Sequence, residues 1–460
     1  MSTAPQAFVS STDFSHVHAA ILSTGDEVVL GQIADSNARW IAQKLMDRGI
    51  VPVQHAAVPD ELDVIVAAIE RLSRSADLLV MTGGLGPTDG DLTRHALAKV
   101  LKDELVVDER ALGDLRALMA RRGREMSDRQ ARQAQRPSSA ACLPNAVGTA
   151  PGLIARIQRP DGRVCEVVCL PGPPGELRDM WAKQVENRLK PRAGFIVKTR
   201  LLHVVAMPEA EVSGLLKDLT ARDRVDGKAL VGMTASGGVI TVRIRVEGEL
   251  SESQARAALD AADAGVRAKL GRHVVCEGDG RGIDLVARAM IEKLTRLGQS
   301  FSCVESCTGG GLGALLTSIP GSSKAFAGGL ITYSNELKTR LAGVQAELLR
   351  RHGAVSEEVA RAMALGGQKS LQTTHCVGIT GIAGPEGGSE EKPVGTVYVA
   401  LASRLEGQER VDVRRLLITG DREDIRQRAG VAVLSLLHFA TEGFEPGSPK
   451  LIWQVAARTE

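Results

Sequence analysis

A chain of 460 residues is too long for one ordinary hydrophobic core and implies two to four domains. Hydrophobic residues make up 43% of it and aromatics only 3%, which excludes a disordered chain and favours aliphatic α/β layers over a β-sandwich. Basic and acidic residues nearly balance, 57 against 55, so no overall basic field draws the protein onto nucleic acid.

Residues 1–16 are polar, lack a basic leader and read as a disordered tail. A first domain follows over 17–192. Val17–Ser23 reads as a strand closed by Thr24-Gly25-Asp26-Glu27. Ile33–Arg48 has helical spacing and carries Asn37, Val51–Val58 is a strand, Val64–Leu72 a helix and Leu78–Met81 a short apolar strand. This alternation predicts a mostly parallel sheet covered on both faces. The next loop, Thr82 to Thr93, holds Gly83, Gly84, Gly86, Thr88, Asp89, Gly90 and Asp91. Glycines let a backbone approach a ligand, amides at a helix start attract an anion, and carboxylates can hold a divalent cation. A long helical region, Glu109–Gln135, carries the clearest basic excess and reads as a solvated face. Pro144–Gly152, with Asn145, Gly148 and Thr149, is a second glycine-bearing loop. Strands Gly152–Ile157 and Val164–Leu170 come next, and Pro171–Glu176 opens a helix through Leu189. These loops belong at one sheet edge, where open α/β sheets bind ligands.

Residues 198–278 form a small α+β unit. Its strands are Arg200–Ala206, Ala229–Thr234, Val239–Val246 and His273–Cys276, and its helices Glu209–Asp218 and Glu252–Leu270. It concentrates no catalytic groups, so a structural or dimerising role is expected.

The third domain, 282–445, opens with an amphipathic helix, Ile283–Leu297. A short apolar run ending at Val304 leads into Glu305-Ser306-Cys307-Thr308 and the glycines 309–311. After a helical pattern come Gly321-Ser322-Ser323, a strand-like Leu330–Tyr333, Asn335 and Lys338. Val344–Arg351 and Ser356–Lys369 read as helices, with Ser356 as N-cap. His375–Thr380 is a strand running into Gly381 and Gly384, followed by strands Val394–Leu401 and Val411–Ile418. A helix from Arg422 to about Ala440 carries Arg426, and the remainder reads as a tail. The seven cysteines, odd in number and without framework or zinc spacing, indicate reduced thiols and a cytoplasmic setting. No apolar run reaches membrane length.

Ser323 and Cys307 are the possible nucleophiles here. Ser323 begins a helical segment, and Cys307 sits at a strand-to-helix turn, where a helix dipole lowers a thiol pKa. His352, His375 and His438 lie in packing or capping contexts, which leaves Lys338 as a base for a serine if desolvation lowers its pKa. Cys307 is the second choice.

Glu305-Ser306-Cys307-Thr308-Gly309-Gly310, Gly321-Ser322-Ser323, Tyr333-Ser334-Asn335 with Lys338, Gly353–Ser356, Gly381–Pro385 and Lys392–Val397 occur in that order. The set resembles the nicotinamide mononucleotide deamidase family, the C-terminal domain of the CinA (competence/damage-inducible protein A) proteins. Gly25-Asp26-Glu27, Gly31-Gln32, Asn37, the 82–93 loop, Asn145–Gly152 and Leu170–Pro174 resemble the CinA N-terminal domain. The resemblance implies a molybdopterin-binding-like three-layer α/β domain, a KH-type α+β middle domain and a C-terminal α/β/α deamidase domain.

It implies further that Ser323 attacks the nicotinamide carboxamide with Lys338 as base, giving nicotinic acid mononucleotide and ammonia without a cofactor. Backbone N–H groups of 306–310 or 321–323 would hold the oxyanion. Ser306, Thr308, Gly309, Gly310, Ser322, Tyr333, Asn335, Thr380, Gly381, Gly384, Arg422 and Arg426 would surround the substrate, an arginine meeting its phosphate. In the N-terminal domain it implies a divalent-cation-dependent ADP-ribose pyrophosphatase. Its ligand would meet Gly25, Asp26, Asn37, Gly83, Gly84, Gly86, Thr88, Thr93, Asn145, Gly148 and Thr149, and Asp91 would hold a cation of the Mg, Mn or Co type. The family loop reads Gly-Pro-Thr-x-Asp-Asp, whereas this chain has Gly90 at the first acid, which implies either an impaired pyrophosphatase or a loop in which the neighbouring Asp89 substitutes. The implied partners are small-molecule nucleotides and a second copy in a homodimer, with no membrane. Nucleic acid is not expected, because the middle unit lacks an intact glycine-basic-glycine clamp. The rival readings are a ligand-binding or competence-related scaffold, and a pterin-binding N-terminal domain without hydrolase activity.

Overall fold

The structure, a computed structural model, describes residues 15–220 and 227–455. The expected tail over residues 1–14 lies outside the described residues. The chain divides into two compact units, one built from residues up to 197 with 247–252, the other from 198–246 and 253 onward.

The first unit contains β1 (His18–Thr24), α1 (Asp26–Val29), α2 (Ser36–Asp47), β2 (Val51–Val58), α3 (Leu62–Ser75), β3 (Leu78–Thr82) and α4 (Thr93–Leu101). β4 (Leu105–Val107), α5 (Glu109–Arg121), α6 (Asp128–Ala131), β5 (Gln135–Pro137), β6 (Ala141–Leu143), β7 (Gly152–Gln158), β8 (Val164–Leu170) and α7 (Pro174–Met180) complete it. Its main sheet has the order β2-β1-β3-β8-β7-β6. The strands from β2 to β8 are parallel, and β7 and β6 add antiparallel edges. α3 buries Ile65, Ala68, Ile69 and Leu72 on one face, and α2 buries Ala38, Ile41 and Leu45 on the other. That makes the three layers.

Three expectations shift. α2 starts at Ser36 because the Asp35 carboxylate caps it, accepting from the Ala38 N–H at 2.9 Å. The long helical region breaks after Arg121, where Gly123 takes φ 65°, and restarts at a Ser127–Gln130 capping box. His16 is buried and not part of a tail: its N–H donates to the Lys190 carbonyl at 2.7 Å.

The second unit begins with a sheet of order β10-β11-β9-β12, made of β9 (Phe195–Val204), β10 (Leu230–Ser236), β11 (Val239–Glu249) and β12 (Val274–Glu277). α8 (Glu209–Leu215) and α9 (Glu252–Leu270) accompany it. Next come α10 (Gly282–Leu297), β13 (Phe301–Glu305), α11 (Gly311–Thr317), β14 (Phe326–Ile331), α12 (Asn335–Ala342), α13 (Ala346–His352) and α14 (Glu357–Leu371). β15 (His375–Gly381), β16 (Thr396–Leu405), β17 (Gln408–Leu417) and α15 (Arg422–Thr441) follow. The sheet order is β14-β13-β15-β16-β17, parallel from β14 to β15 and antiparallel beyond. α10, α11 and α15 cover one face, and α12, α13 and α14 pack on the other. Residues 442–455 do not form a loose tail. The buried Arg414 donates to the Pro449 carbonyl at 3.0 Å and to Gln454 Oε1 at 2.9 Å, holding that segment against β17.

All seven cysteines are unpaired. Among the described residues no helix is long and apolar enough to cross a membrane.

α14 lies on the sheet through bare backbone. A Cβ at Gly378 of β15 would meet the Ala360 carbonyl oxygen at 2.5 Å, and one at Gly367 of α14 would meet Val304 Cγ2 at 2.3 Å. Gly378→Ala is therefore expected to destabilise the C-terminal domain by about 1–3 kcal/mol through overpacking, read as a lower urea midpoint at unchanged m.

Candidate active site

The parallel strands β13, β14 and β15 end at the same sheet edge, so the residues after each meet there. Ser306 follows β13 directly, and its N–H donates to the Ile379 carbonyl of β15 at 3.0 Å. Thr332 and Tyr333 follow β14, and Lys338 lies on α12 just beyond. The Ser334 hydroxyl caps α12, accepting from the Leu337 N–H at 3.2 Å, which turns Lys338 back towards the strand ends.

Lys338 is 1% exposed. Its Nζ lies 3.0 Å from Ser306 Oγ, 2.9 Å from the Thr332 carbonyl and 3.2 Å from the Tyr333 carbonyl. A carbonyl can only accept, so two N–H bonds go to the carbonyls whatever the charge of the amine. The third direction, towards Ser306, can then hold a lone pair receiving the serine proton. Burial pushes the Lys338 pKa down, opposed only by Cys307, and no carboxylate among the described residues pairs with it. These are the conditions under which a lysine acts as a base.

Glu305 explains the glycine turn. Its buried carboxylate accepts from the N–H groups of Gly310 and Leu312 at 3.1 Å and of Gly313 at 2.8 Å. Gly309 N–H is also spent, on the Ser306 carbonyl at 3.0 Å. The turn is thus built to hold Ser306 and does not cradle a phosphate. No oxygen among the described residues takes the N–H of Cys307 or Thr308, whose nearest acceptor is the Cys307 sulfur. Cys307 itself is a poor nucleophile, because burial pushes its thiol up to about 12.

A cleft of about 200 Å³ opens on this pair, lined by Ser306, Cys307, Tyr333, Asn335, Lys338, Ala354, Val355, Thr380, Gly381, Ala383 and Arg422. Arg422 donates to the Gly384 carbonyl at 2.6 Å and to the Tyr333 hydroxyl at 3.1 Å, which sets a guanidinium at the mouth. Thr380 Oγ1 donates to the Ala354 carbonyl at 2.7 Å.

The first unit has a separate cleft of about 650 Å³ at the ends of its parallel strands. Thr24, Gly25, Asn37, Gly83, Gly84, Gly86, Thr88, Asp91 and Thr149 line it, together with Asp60, Gln133 and Glu176, which the sequence did not single out. Asn37 Nδ2 ties the walls together, donating to Thr82 Oγ1 at 3.1 Å and to the Gly172 carbonyl at 2.7 Å. The buried Arg94 guanidinium donates to the Leu85 and Gly86 carbonyls at 2.7 and 2.8 Å and fixes the glycine loop.

Residues 20–191 match a probable molybdopterin binding domain, 199–275 the damage-inducible protein CinA KH domain, and 284–440 the CinA C-terminal domain. A CinA-like protein of Geobacter metallireducens is 40% identical over 420 residues, covering 91% of this chain and 98% of that one. The chain belongs to the CinA family. A putative competence-damage inducible protein of Alkaliphilus metalliredigens is 35% identical over 421 residues, again 91% of this chain and 98% of the relative. The crystal structure of competence/damage inducible protein CihA from Agrobacterium tumefaciens is 39% identical over 35% of this chain and 95% of its own, with a TM-score of 0.33.

Within this CinA chain the expected Ser323–Lys338 pair is not formed. Ser322 and Ser323 lie in a short turn before β14, and Lys338 lies after it. Six strand residues at ~3.3 Å each place the two ends roughly 20 Å apart. Ser306, expected only to touch substrate, is the hydroxyl that stands beside Lys338. Thr308, Gly309, Gly310 and Gly384 support the cleft without lining it, and Arg426 donates to the Thr308 carbonyl at 2.9 Å. The three histidines keep packing roles: His375 is held between Ser403 Oγ at 2.8 Å and Gln299 Oε1 at 3.0 Å, His352 Nδ1 sits 3.1 Å from Glu358, and His438 Nε2 donates to the Arg272 carbonyl at 2.8 Å.

At the N-terminal cleft Asp26, Thr93, Asn145 and Gly148 also act from behind the wall. Asp26 accepts from the Asp60 N–H, Thr93 Oγ1 donates to the Gly83 carbonyl, and Asn145 Oδ1 accepts from the Gly148 N–H. Asp91 and Asp89, the acids expected to hold the implied cation, do not fit it as they stand. Both Asp91 oxygens are taken by the loop, from Gly86 N–H at 2.6 Å, Thr88 N–H at 2.7 Å and Thr88 Oγ1 at 2.5 Å. Asp89 turns away to Arg129 and Arg132 at 3.7 and 3.8 Å and is 77% exposed, so it does not replace the missing acid.

The nucleophile assignment can be checked without a substrate. A sulfonyl fluoride probe is expected to add one equivalent by intact mass to the unmodified chain and to Ser323→Ala. Ser306→Ala and Lys338→Met should take up less than about a tenth as much.

Proposed function

We propose that the C-terminal domain hydrolyses the carboxamide of nicotinamide mononucleotide. The observation that carries this reading is the buried Lys338 amine 3.0 Å from Ser306 Oγ, with no histidine or carboxylate among the described residues that line the cleft. Ser306 Oγ attacks the carboxamide carbon as the Lys338 amine takes its proton. The oxyanion formed is met by the N–H groups of Cys307 and Thr308. Lys338 then gives the proton to the departing nitrogen, ammonia leaves, and water cleaves the acyl-serine to release nicotinic acid mononucleotide. Arg422, with Tyr333 beside it, suits the 5′-phosphate, since a guanidinium meets phosphate in a fork geometry. Membership of the CinA family and the motif order support the same reading.

Ammonia release from nicotinamide mononucleotide tests it. Ser306→Ala is expected to lower kcat by at least about 10³-fold, and Ser323→Ala to stay within about twofold. The reverse pattern would overturn the Ser306 assignment, and an inactive unmodified chain would favour a ligand-binding scaffold. Only the neutral amine accepts a proton, so kcat/KM rises with pH through the Lys338 pKa, at values below the 10.5 of an ordinary lysine.

For the N-terminal domain we infer a cleft that binds a nucleotide or pterin-like ligand and hydrolyses ADP-ribose poorly. A Cβ at Gly90 would sit 3.6 Å from Asp60 Oδ2, so an acid there would stand beside Asp60. Burial and the charges of Asp26, Glu27 and Asp91 already raise the Asp60 pKa. With Mn²⁺, Gly90→Asp is expected to raise ADP-ribose turnover by about tenfold or more, and equal turnover in both chains counts against impairment by Gly90.

A further inference from the structure

Residues 449–455 return along β17, with Leu417 N–H donating to the Trp453 carbonyl at 2.9 Å and Val455 N–H to the Arg415 carbonyl at 3.1 Å. Trp453 takes φ 64°, a backbone region costly for a bulky side chain and kept only where the surroundings enforce it. Its indole reaches the tip of the β10–β11 hairpin. A Cβ at Gly238 would lie 2.5 Å from Trp453 Cη2 and 3.4 Å from Val431 Cγ1 of α15. A Cβ at the neighbouring Gly237 would lie 3.3 Å from the Gln427 side chain. The Arg428 guanidinium stands 5.9 Å from the indole centre. One side chain therefore lies where the middle-domain hairpin, the C-terminal segment and the first half of α15 come together. That half of α15 carries Arg422, at the mouth of the cleft, and Arg426, which grips the Thr308 carbonyl beside the N–H groups of Cys307 and Thr308.

We infer that Trp453 is a positioning residue for the carboxamide site: it wedges the Gly237-Gly238 hairpin against α15 and so fixes where Arg422 and Arg426 stand. The middle domain then acts as a buttress of the third domain's site. The effect on turnover rests on the deamidase reading; the wedge does not. Ser306 follows β13 and Lys338 lies on α12, so neither stands on α15, and loosening the wedge acts first on the Arg422 grip at the cleft mouth and so on substrate binding.

The test uses the full chain with Trp453→Ala, Trp453→Phe and Gly238→Val. Hydrogen exchange read by mass spectrometry is expected to quicken about tenfold in α15 peptides of Trp453→Ala and Gly238→Val, and to stay near the unmodified rate in Trp453→Phe. KM for nicotinamide mononucleotide is expected to rise about tenfold in the first two, with kcat within about twofold. Unchanged exchange in Trp453→Ala overturns the wedge. A uniform quickening across the third domain, or a local one without a rise in KM, marks a merely structural role and overturns the positioning. An unmodified chain that releases no ammonia sinks the deamidase reading alone, and the exchange data still decide the wedge.

Discussion

A buried lysine without a carboxylate partner is the constraint on which the third domain turns. Placing an ammonium out of water costs several kcal/mol unless it is paired or gives up its proton. Lys338 meets two backbone carbonyls and one hydroxyl, an arrangement that satisfies a neutral amine fully. Holding it requires Thr332 and Tyr333 at the end of β14, Ser306 at the end of β13, and the Ser334 cap that turns α12 back. Glu305 then spends its carboxylate on the glycine turn, which keeps Ser306 at the strand end.

Much of this was legible in the sequence, and the error has a topological cause. Strand and helix order and the three domains followed from apolar periodicity, glycine turns and motif order. The pairing of Ser323 with Lys338 is what the family resemblance implies, yet the two flank the same strand and so face opposite edges of the sheet. Ser306 and Lys338 both follow parallel neighbours, and parallel strands bring residues after their ends together. The sequence orders strands along the chain and not across the sheet, so that adjacency was not legible. Nor was the role of Glu305, because which N–H groups a carboxylate accepts depends on turn geometry that no spacing rule supplies.

The first unit shows the opposite balance. Its glycine loop was recognised by composition, and the loop does line a cleft. The function of each acid was not readable, since adjacent aspartates point in unrelated directions. Asp91 folds inward onto the loop's own donors and Asp89 outward onto two arginines. The shape of the loop therefore rests on Asp91 and not on Asp89. Residues 442–455, expected to be part of a tail, are held in place by Arg414, which is buried in β17.

The Glu305 clamp has a consequence for orientation. A carboxylate seated on the start of α11 cancels the positive end that a helix would offer an anion. The remaining cationic group at the rim is the Arg422 guanidinium on the far wall. The opening is therefore electrostatically asymmetric; under the proposed deamidase reading, a ligand with one anionic end and one neutral amide end would enter amide first, with its charge left at the rim.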